Sequence, residues 1–188
     1  MMWKRACLMV PCLSLLLAAC GPGDKQAPTP ATGNPPAAAA AATAGPVAEG
    51  AVPTLQVRTL EGKALALTDL RGKWVVVNYW ATWCGPCIEE MPELSALAAM
   101  REHIAVIGLA YDEASPDELR AFLKQHPVAY PVARIDMYEP PRDFGAPNVL
   151  PATWLIAPDG RLARKYSGPL TARMLEDDIA RLGGPKPG

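Results

Sequence analysis

Apolar runs and amphipathic stretches alternate along the chain from about residue 55. Two short segments, 55–58 and 64–67, are separated by Glu61-Gly62-Lys63, which predicts a β-hairpin. The run 74–80 is apolar and rich in β-branched residues without clean alternation, as expected of a strand buried on both faces. The run 104–111 has the same character and predicts a second strand of this kind.

Three helices are predicted, one between these two strands and two after them. Apolar residues recur at helical spacing over 84–101. The segment 115–126 opens with Ser115-Pro116-Asp117-Glu118, a capping box with proline in the first turn. The last helix, 171–182, carries one apolar face and stops at Gly183.

Further strands are predicted near 130–135 and over 154–157 and 161–166, the last two joined by the turn Pro158-Asp159-Gly160. The alternation of strands and helices predicts an α/β sandwich. In such sheets reactions take place beyond the carboxyl ends of the strands. Cys84, which follows the run 74–80, is expected at such an end.

The N-terminus has the pattern of an export signal. Two basic residues precede the apolar run 6–19. The sequence then reads Leu17-Ala18-Ala19-Cys20, which resembles the bacterial lipoprotein box, where the cysteine becomes the lipidated first residue of the mature protein. We expect residues 1–19 to be a lipoprotein signal peptide and Cys20 to be lipidated. An uncleaved anchor, for which the run is short, and an ordinary signal are the alternatives. Each of them exports the chain.

Composition separates the rest of the chain into two parts. Proline, alanine, glycine and threonine dominate residues 20–50, and the 21 prolines of the chain exceed the ordinary share. This segment offers too little large apolar surface to offset the entropy of ordering. We therefore expect 20–50 to be a disordered tether and 51–188 to be one folded domain.

Charge and cysteine usage exclude several classes. A formal net charge of -1, without a basic stripe, argues against nucleic-acid binding. Of the five cysteines, only Cys84 and Cys87 fall in the predicted domain, so a disulfide framework is excluded.

Metal and haem sites are also disfavoured. Structural zinc needs four ligands, and the domain adds only His103 and His126 to the two cysteines. A c-type haem site fails because Ile88 follows the second cysteine. No cofactor or metal is expected.

The two cysteines lie in Trp83-Cys84-Gly85-Pro86-Cys87, at the predicted strand-to-helix transition. Disulfide exchange needs a thiolate, and a helix N-terminus favours the anion of the first cysteine of such a pair. Cys84 is therefore predicted to attack and Cys87 to resolve. Gly85 and Pro86 suit the tight first turn. A static disulfide remains an alternative, although so small a loop would add little stability.

The sequence VVNYWATWCGPC at 76–87, with Pro92 beyond it, resembles the membrane-tethered reductases of the TlpA, ResA and CcmG type. The resemblance covers the chain from about Pro53 onward. It implies a thioredoxin-like three-layer sandwich with an N-terminal hairpin and a central strand-helix insertion, for which the segment 111–136 is the candidate.

The resemblance also implies roles for individual residues. Pro151, in Leu150-Pro151-Ala152-Thr153, is expected to be cis, and the Leu150 backbone to pair with an extended substrate segment. Trp83 is expected to shield the disulfide and to contact substrate. Asn78 stands where thioredoxins carry a buried Asp, so another group must handle the proton, and Glu90 is the candidate. Its neighbours Glu89 and Glu93 are expected to be solvated.

Together these features predict an exported reductase of protein disulfides in the periplasm, held by its N-terminal lipid to the inner or outer membrane. The resemblance implies a membrane electron donor of the DsbD or CcdA type. Two alternatives remain. A thiol peroxidase is disfavoured because Val77 and Ala81 occupy the positions of the Pro and Thr that peroxiredoxins place before their cysteine. A copper or thiol chaperone is disfavoured by the two-residue spacing of the cysteines.

Overall fold

The computed structural model describes residues 46–187. The predicted signal peptide, Cys20 and the tether up to residue 45 lie outside the described residues. In chain order the elements are β1 (Gln56–Arg58), β2 (Ala64–Ala66), β3 (Trp74–Trp80), α1 (Gly85–Met100), β4 (Ile104–Tyr111), α2 (Pro116–Gln125), β5 (Val132–Ile135), β6 (Ala152–Ile156), β7 (Leu162–Ser167) and α3 (Ala172–Arg181). A short 3-10 helix, Leu67–Leu70, follows β2 and was not predicted.

The centre of the domain is a five-stranded sheet of order β5-β4-β3-β6-β7. Strands β3, β4 and β5 are parallel, while β6 and β7 run antiparallel to their neighbours. Every residue of β3 is buried, which confirms the predicted two-sided burial. The predicted α/β fold is therefore confirmed, and its central sheet is mixed.

The two faces of the sheet bury separate apolar clusters. Val76 and Trp80 of β3 contribute to the cluster that receives the apolar residues of α1, α2 and α3. Val77 and Tyr79 point to the other face, where the hairpin region and Phe144 cover the sheet. The second covering layer is thus built without an α-helix, and the 3-10 helix Leu67–Leu70 contributes Leu67 to it.

The predicted hairpin is confirmed as the antiparallel pair β1 and β2, which forms a small sheet of its own. Strand β5 starts two residues later than predicted. The reason is local, because Pro131 has no N–H for a ladder and uses its carbonyl to accept the Gly108 N–H at 3.0 Å. Tyr130 instead turns its side chain into the core.

Residues 46–50, predicted as the end of the tether, are bonded to the domain. The Val47 N–H donates to the Asp143 carbonyl at 2.9 Å, and the Gly50 N–H donates to the Leu162 carbonyl at 2.8 Å. Val47 also packs against the apolar cluster on the face of the sheet opposite the α-helices. Within residues 46–187 no helix combines the length and the apolar character that crossing a membrane requires.

Sheet register determines which segments meet at the carboxyl end of β3. Tyr79 is paired with Ala152, so Pro151 lies beside the end of β3, where the chain leads into Cys84. Because β4 is parallel to β3, its own carboxyl end, followed by Asp112, lies at the same edge.

Candidate active site

A disulfide joins Cys84 and Cys87 at the start of α1, with an S–S distance of 2.09 Å. Cys84 is the N-cap residue, and its sulfur accepts a hydrogen bond from the Cys87 N–H at 3.3 Å. Its backbone is fixed on both sides, since its N–H donates to the Ala81 carbonyl and its carbonyl accepts from the Ile88 N–H, each at 3.1 Å. The sulfur of Cys84 therefore meets a free N–H group of the first helical turn, where an anion is stabilised.

The two cysteines differ in exposure. Cys84 is 5% exposed and Cys87 is fully buried. Gly85 and Pro86 are exposed between them, with Pro86 in the first helical turn, where its missing N–H has no partner to lose. Trp83 is 67% exposed. An aromatic side chain that served packing alone would be buried, so the exposure of Trp83 favours a surface role.

The peptide bond between Leu150 and Pro151 is cis, which confirms that prediction. Pro151 is buried, and its carbonyl accepts a hydrogen bond from the Gly168 N–H at 2.9 Å. Leu150 is half-buried and packs against both apolar clusters. The register of β3 with β6 brings this pair to the sheet edge that carries Cys84.

Glu90 is a buried carboxyl, 3% exposed, one helical turn after Cys87. Its Oε1 accepts a hydrogen bond from Asn78 Nδ2 at 2.7 Å, and its Oε2 accepts from the Leu170 N–H at 3.1 Å. Asn78 Nδ2 also donates to Thr153 Oγ1 at 3.0 Å, across the pair that these two residues form between β3 and β6. The candidate carboxyl is thus held by two donors, one from β3 and one from the loop before α3.

Burial raises the pKa of Glu90 to about 7, because the charged form loses its hydration. The hydrogen bonds from Leu170 and Asn78 oppose this rise, and the nearby charge of Glu93 adds to it. Glu89 is exposed, as expected. Glu93 is exposed too, but its carboxylate accepts the Ala172 N–H at 2.6 Å and so caps α3, a role that the charge pattern did not predict.

Sequence reasoning missed the group that holds the loop before Cys84. Asp112 is buried directly after β4, and its Oδ2 accepts from both the N–H and the Oγ1 of Thr82 at 2.7 Å. Its Oδ1 accepts from the Ala114 N–H at 3.0 Å. Burial opposes ionisation, yet these hydrogen bonds prevail and lower the pKa of Asp112. The available signal was an acidic residue at the end of the apolar run 104–111.

Among the residues that the structure describes, no three histidine, cysteine, aspartate or glutamate side chains are grouped as metal ligands would be. The arrangement at the sheet edge consists instead of a disulfide at a helix N-terminus, a cis-proline and a buried acid. These groups are suited to thiol-disulfide exchange, in which one sulfur of a disulfide is attacked and the other leaves.

Comparison with known proteins agrees with this geometry. The sequence model described as the AhpC/TSA family matches residues 48–165. Thiol-disulfide oxidoreductase ResA of Bacillus thuringiensis subsp. konkukian is 34% identical over 131 residues, which cover 69% of this chain and 75% of ResA. ResA of Bacillus subtilis is 31% identical over 136 residues, covering 70% of this chain and 74% of that protein.

Solved structures give the same result for the fold. The crystal structure of a protein named as thiol:disulfide interchange protein DsbE, from Chlorobium tepidum, superimposes with a TM-score of 0.65 at 26% identity, covering 73% of this chain and 99% of that one. A DsbF homologue from Corynebacterium diphtheriae has a TM-score of 0.60 at 25% identity, covering 76% and 95% respectively. The chain therefore belongs to the AhpC/TSA family, and it is a thioredoxin-like thiol-disulfide oxidoreductase similar to ResA.

Proposed function

We propose that this oxidoreductase is exported and works as a reductase of protein disulfides, with Cys84 as the nucleophile. The observation that carries the proposal is the position of Cys84 at the N-cap of α1, where its sulfur accepts the Cys87 N–H. The same N–H and the helix dipole stabilise a thiolate once the disulfide is reduced.

The reaction takes two exchanges. The Cys84 thiolate attacks one sulfur of the substrate disulfide, a mixed disulfide forms and the other substrate sulfur leaves as a thiolate. The Cys87 thiolate then attacks the Cys84 sulfur, and the second substrate sulfur leaves. Two electrons pass to the substrate, which takes up two protons as its thiols form, and the Cys84–Cys87 disulfide of this structure is the oxidised product.

Glu90 is proposed to hold the proton that Cys87 must lose. A residue three positions on lies on the same helical face, and Cys87 and Glu90 are both buried, which supports a role for this carboxyl toward Cys87. A group with a pKa of about 7 is half-protonated at neutral pH, the condition under which an acid-base group transfers protons in both directions efficiently.

Substrate contact is proposed for the residues around the disulfide. Exposed Gly85 and Pro86 follow Cys84 in the chain, and exposed Trp83, which precedes it, offers an apolar surface. Leu150 and Pro151, at the adjacent strand end, are proposed to pair with an extended substrate backbone in the manner of an added strand.

The cellular setting is also proposed. Residues 1–19 would direct export, lipidated Cys20 would anchor the protein to the inner or outer membrane, and the segment up to residue 45 would tether the domain. A reductase in the periplasm needs electrons from across the membrane, hence a donor of the DsbD or CcdA type. The alternatives, a thiol peroxidase and a copper or thiol chaperone, have no further support in the site.

One set of measurements tests the activity. The Cys84–Cys87 couple should have a midpoint potential near that of thioredoxin, about -270 mV, and the reduced protein should reduce a disulfide-bonded protein such as insulin. A Cys87→Ala variant should accumulate mixed disulfides through Cys84 with exported proteins, and a Cys84→Ala variant should accumulate none. A potential near -120 mV would reverse the proposed direction. Rapid thiol-dependent peroxide consumption, or stoichiometric copper binding without exchange, would favour the alternatives.

A further inference from the structure

Among the residues that the structure describes, five buried side-chain atoms that can form hydrogen bonds have no partner. They are Asn78 Oδ1, Tyr79 Oη, Trp80 Nε1, Tyr130 Oη and Trp154 Nε1. An unpartnered polar group in the interior lowers stability, so each one calls for a physical explanation. Tyr79 and Trp154 belong to the cluster opposite the α-helices, whereas Trp80 and Tyr130 belong to the cluster under the α-helices. Asn78 lies two positions before Trp80 in β3 and so faces the same side.

Trp80 and Tyr130 meet above Gly108 of β4. A Cβ atom at Gly108 would lie 3.1 Å from Trp80 Nε1 and 2.9 Å from Tyr130 Cε2, so the two side chains are neighbours. Gly108 is paired with Asn78 in the parallel ladder of β3 and β4, which places Asn78 beside the same glycine. The indole of Trp80 is held there by stacking on Phe122 of α2, with ring centroids 5.6 Å apart. Two unpartnered donors thus lie next to an unpartnered acceptor, Asn78 Oδ1.

The group formed by Asn78, Trp80 and Tyr130 borders Glu90. Nδ2 of the Asn78 amide donates to Glu90 Oε1 at 2.7 Å, so Oδ1 of the same amide lies close to the carboxyl. Tyr130 is linked to Glu90 electrostatically, since burial and, after it, the charge of Glu90 raise the pKa of Tyr130. The hydroxyl of Tyr130 therefore stays protonated at neutral pH and serves as a hydrogen-bond donor.

The other groups that act on Glu90 come from three elements. Glu93, on the same helix, is a carboxylate whose charge raises the pKa of Glu90. The hydrogen bonds to the carboxyl come from neutral amides, one on β3 and one in the loop before α3. Cys87, one turn earlier on α1, becomes a titratable neighbour when the disulfide is reduced. Tyr130, from the loop before β5, adds a titratable group that is a neutral donor.

Water matches the donors and acceptors at this place. A water molecule accepts two hydrogen bonds and donates two, and buried waters typically bind otherwise unpartnered groups of this kind. Here the Tyr130 O–H and the Trp80 N–H are donors, while Asn78 Oδ1 and the Glu90 carboxyl are acceptors. A phenylalanine at position 130 would fill the same space without a hydroxyl to satisfy, so packing alone does not explain the tyrosine.

We propose that Tyr130 is a positioning residue for Glu90, because its hydroxyl and the Trp80 N–H hold one water molecule that donates to Asn78 Oδ1 and to the Glu90 carboxylate. The water stabilises the ionised carboxyl, as any hydrogen bond to the charged form does. It thereby opposes the effect of burial and keeps the proton affinity of Glu90 in the range where the group both takes up and releases the proton of Cys87. The inference rests on the proposed role of Glu90 toward Cys87 and adds the residues that adjust it.

The test measures the titration of Glu90 directly. The carbon-13 resonance of its side-chain carboxyl is followed against pH in the oxidised full chain, with Glu90→Gln used to assign the signal. In Tyr130→Phe we expect the midpoint to move to higher pH by about one pH unit, because the ionised carboxyl loses a water-mediated hydrogen bond. In stopped-flow measurements the inflection in the release of a mixed disulfide by Cys87 should move by the same amount.

The bound water is tested in the same samples. A nuclear Overhauser effect between the Trp80 indole N–H and a long-lived water should be present in the wild type and lost in Tyr130→Phe, since the water then has one partner fewer. Its absence from the wild type overturns the water-mediated contact.

Tyr79→Phe is the matched control. Tyr79 is fully buried and its hydroxyl also has no partner, but it belongs to the cluster on the opposite face, where it stacks on Tyr111 with centroids 6.0 Å apart. This variant should leave the Glu90 midpoint unchanged. An unchanged midpoint in Tyr130→Phe, or an equal shift in both variants, overturns the proposal. A midpoint that moves in Tyr130→Phe alone, with no inflection in the resolving step of either protein, supports the contact between Tyr130 and Glu90 and refutes the role of Glu90 toward Cys87.

Discussion

Asn78 Nδ2 and Glu90 Oε1 are joined by a buried hydrogen bond of 2.7 Å between the central strand and the helix of the two cysteines. The amide stabilises the ionised carboxyl, while burial of the same carboxyl disfavours ionisation more strongly. The two effects together leave Glu90 with a pKa of about 7, hydrogen-bonded to an amide that cannot itself titrate. If Glu90 is the proton acceptor, as proposed, proton handling lies on the helix of the cysteines and not on the central strand.

The raised pKa of Glu90 predicts a specific pH dependence of stability. An unfolded glutamate releases its proton near pH 4.5 and the folded one near pH 7, so the folded state binds more protons between these values. The free energy of unfolding should fall as pH rises through this window, by up to about 3 kcal/mol from this group. Urea unfolding of the oxidised protein at several pH values, compared with Glu90→Gln, measures it. The exposed Glu89→Gln is the control, and equal pH slopes for Glu90→Gln and wild type would refute the prediction.

A second prediction concerns the resolving step. If Glu90 accepts the proton of Cys87, the release of a mixed disulfide should show an inflection near pH 7 in the wild type. Glu90→Gln should abolish the inflection and slow the step by about 100-fold, the low end of the range for general acid-base catalysis. Stopped-flow measurement of product release from a preformed mixed disulfide gives both quantities. A uniform slowing that leaves the inflection in place would assign the proton transfer elsewhere.

Asp112 should stabilise the loop that carries Cys84. Asp112→Ala leaves the Thr82 N–H without its acceptor, and we expect a loss of about 2–3 kcal/mol in the free energy of unfolding. Because its pKa is lowered, the contribution of Asp112 is present at neutral pH and is lost only as pH falls below the usual aspartate range. Asp117→Ala, which removes an exposed carboxylate on α2, should cost less than about 1 kcal/mol. Similar losses of unfolding free energy in both variants would contradict the proposed stabilisation of the loop by Asp112.

Asp178 should contribute far more to the free energy of unfolding than its neighbour Asp177. Asp178 is buried and accepts hydrogen bonds from Tyr166 Oη at 2.8 Å and Arg164 Nη1 at 3.1 Å, which tie α3 to β7. It also accepts from Arg181 Nη1 of its own helix at 2.6 Å. Asp178→Ala should cost about 3 kcal/mol in urea unfolding, and Asp177→Ala, which breaks an exposed pair, less than about 1 kcal/mol.

Titration of Tyr166 gives an independent measure of its hydrogen bond to Asp178. Burial and the carboxylate of Asp178 raise the pKa of Tyr166, so the tyrosine should titrate at lower pH in Asp178→Ala, as measured by ultraviolet absorbance. An unchanged tyrosine titration in a folded Asp178→Ala protein would show that this hydrogen bond is not formed in solution.

Local patterns predicted much of this molecule, and contacts between distant residues account for what they missed. The buried strand 74–80, the helix after it and the cysteines between them depend on spacing within about 25 residues, and the structure places them as expected. Nothing in that spacing pairs Asn78 with Thr153, 75 residues away, or Thr82 with Asp112, 30 residues away. Such partnerships come from sheet order, which periodicity does not determine.

Local patterns were also unable to distinguish the three glutamates of α1. All three suit the first turns of a helix by charge, and only packing shows that Glu90 is buried while Glu93 caps α3. The helical spacing of Glu90 from Cys87 was a usable signal, because it placed both residues on the apolar face. The cis bond at Pro151 came from family resemblance and not from the local sequence.

Gly108, at the centre of β4, is predicted to be required for packing. A Cβ atom at this position would lie 2.9 Å from Tyr130 Cε2 and 3.1 Å from Trp80 Nε1, closer than ordinary van der Waals contact. Both rings are buried between the sheet and the helices, so neither can move freely. Gly108→Ala should therefore lower the free energy of unfolding by about 1–3 kcal/mol despite the better strand propensity of alanine. Gly85→Ala, where a Cβ meets nothing within 4 Å, is the control and should leave stability unchanged or slightly raised. A stabilised Gly108→Ala protein would mean that the ring of Tyr130 occupies a different position from the one described.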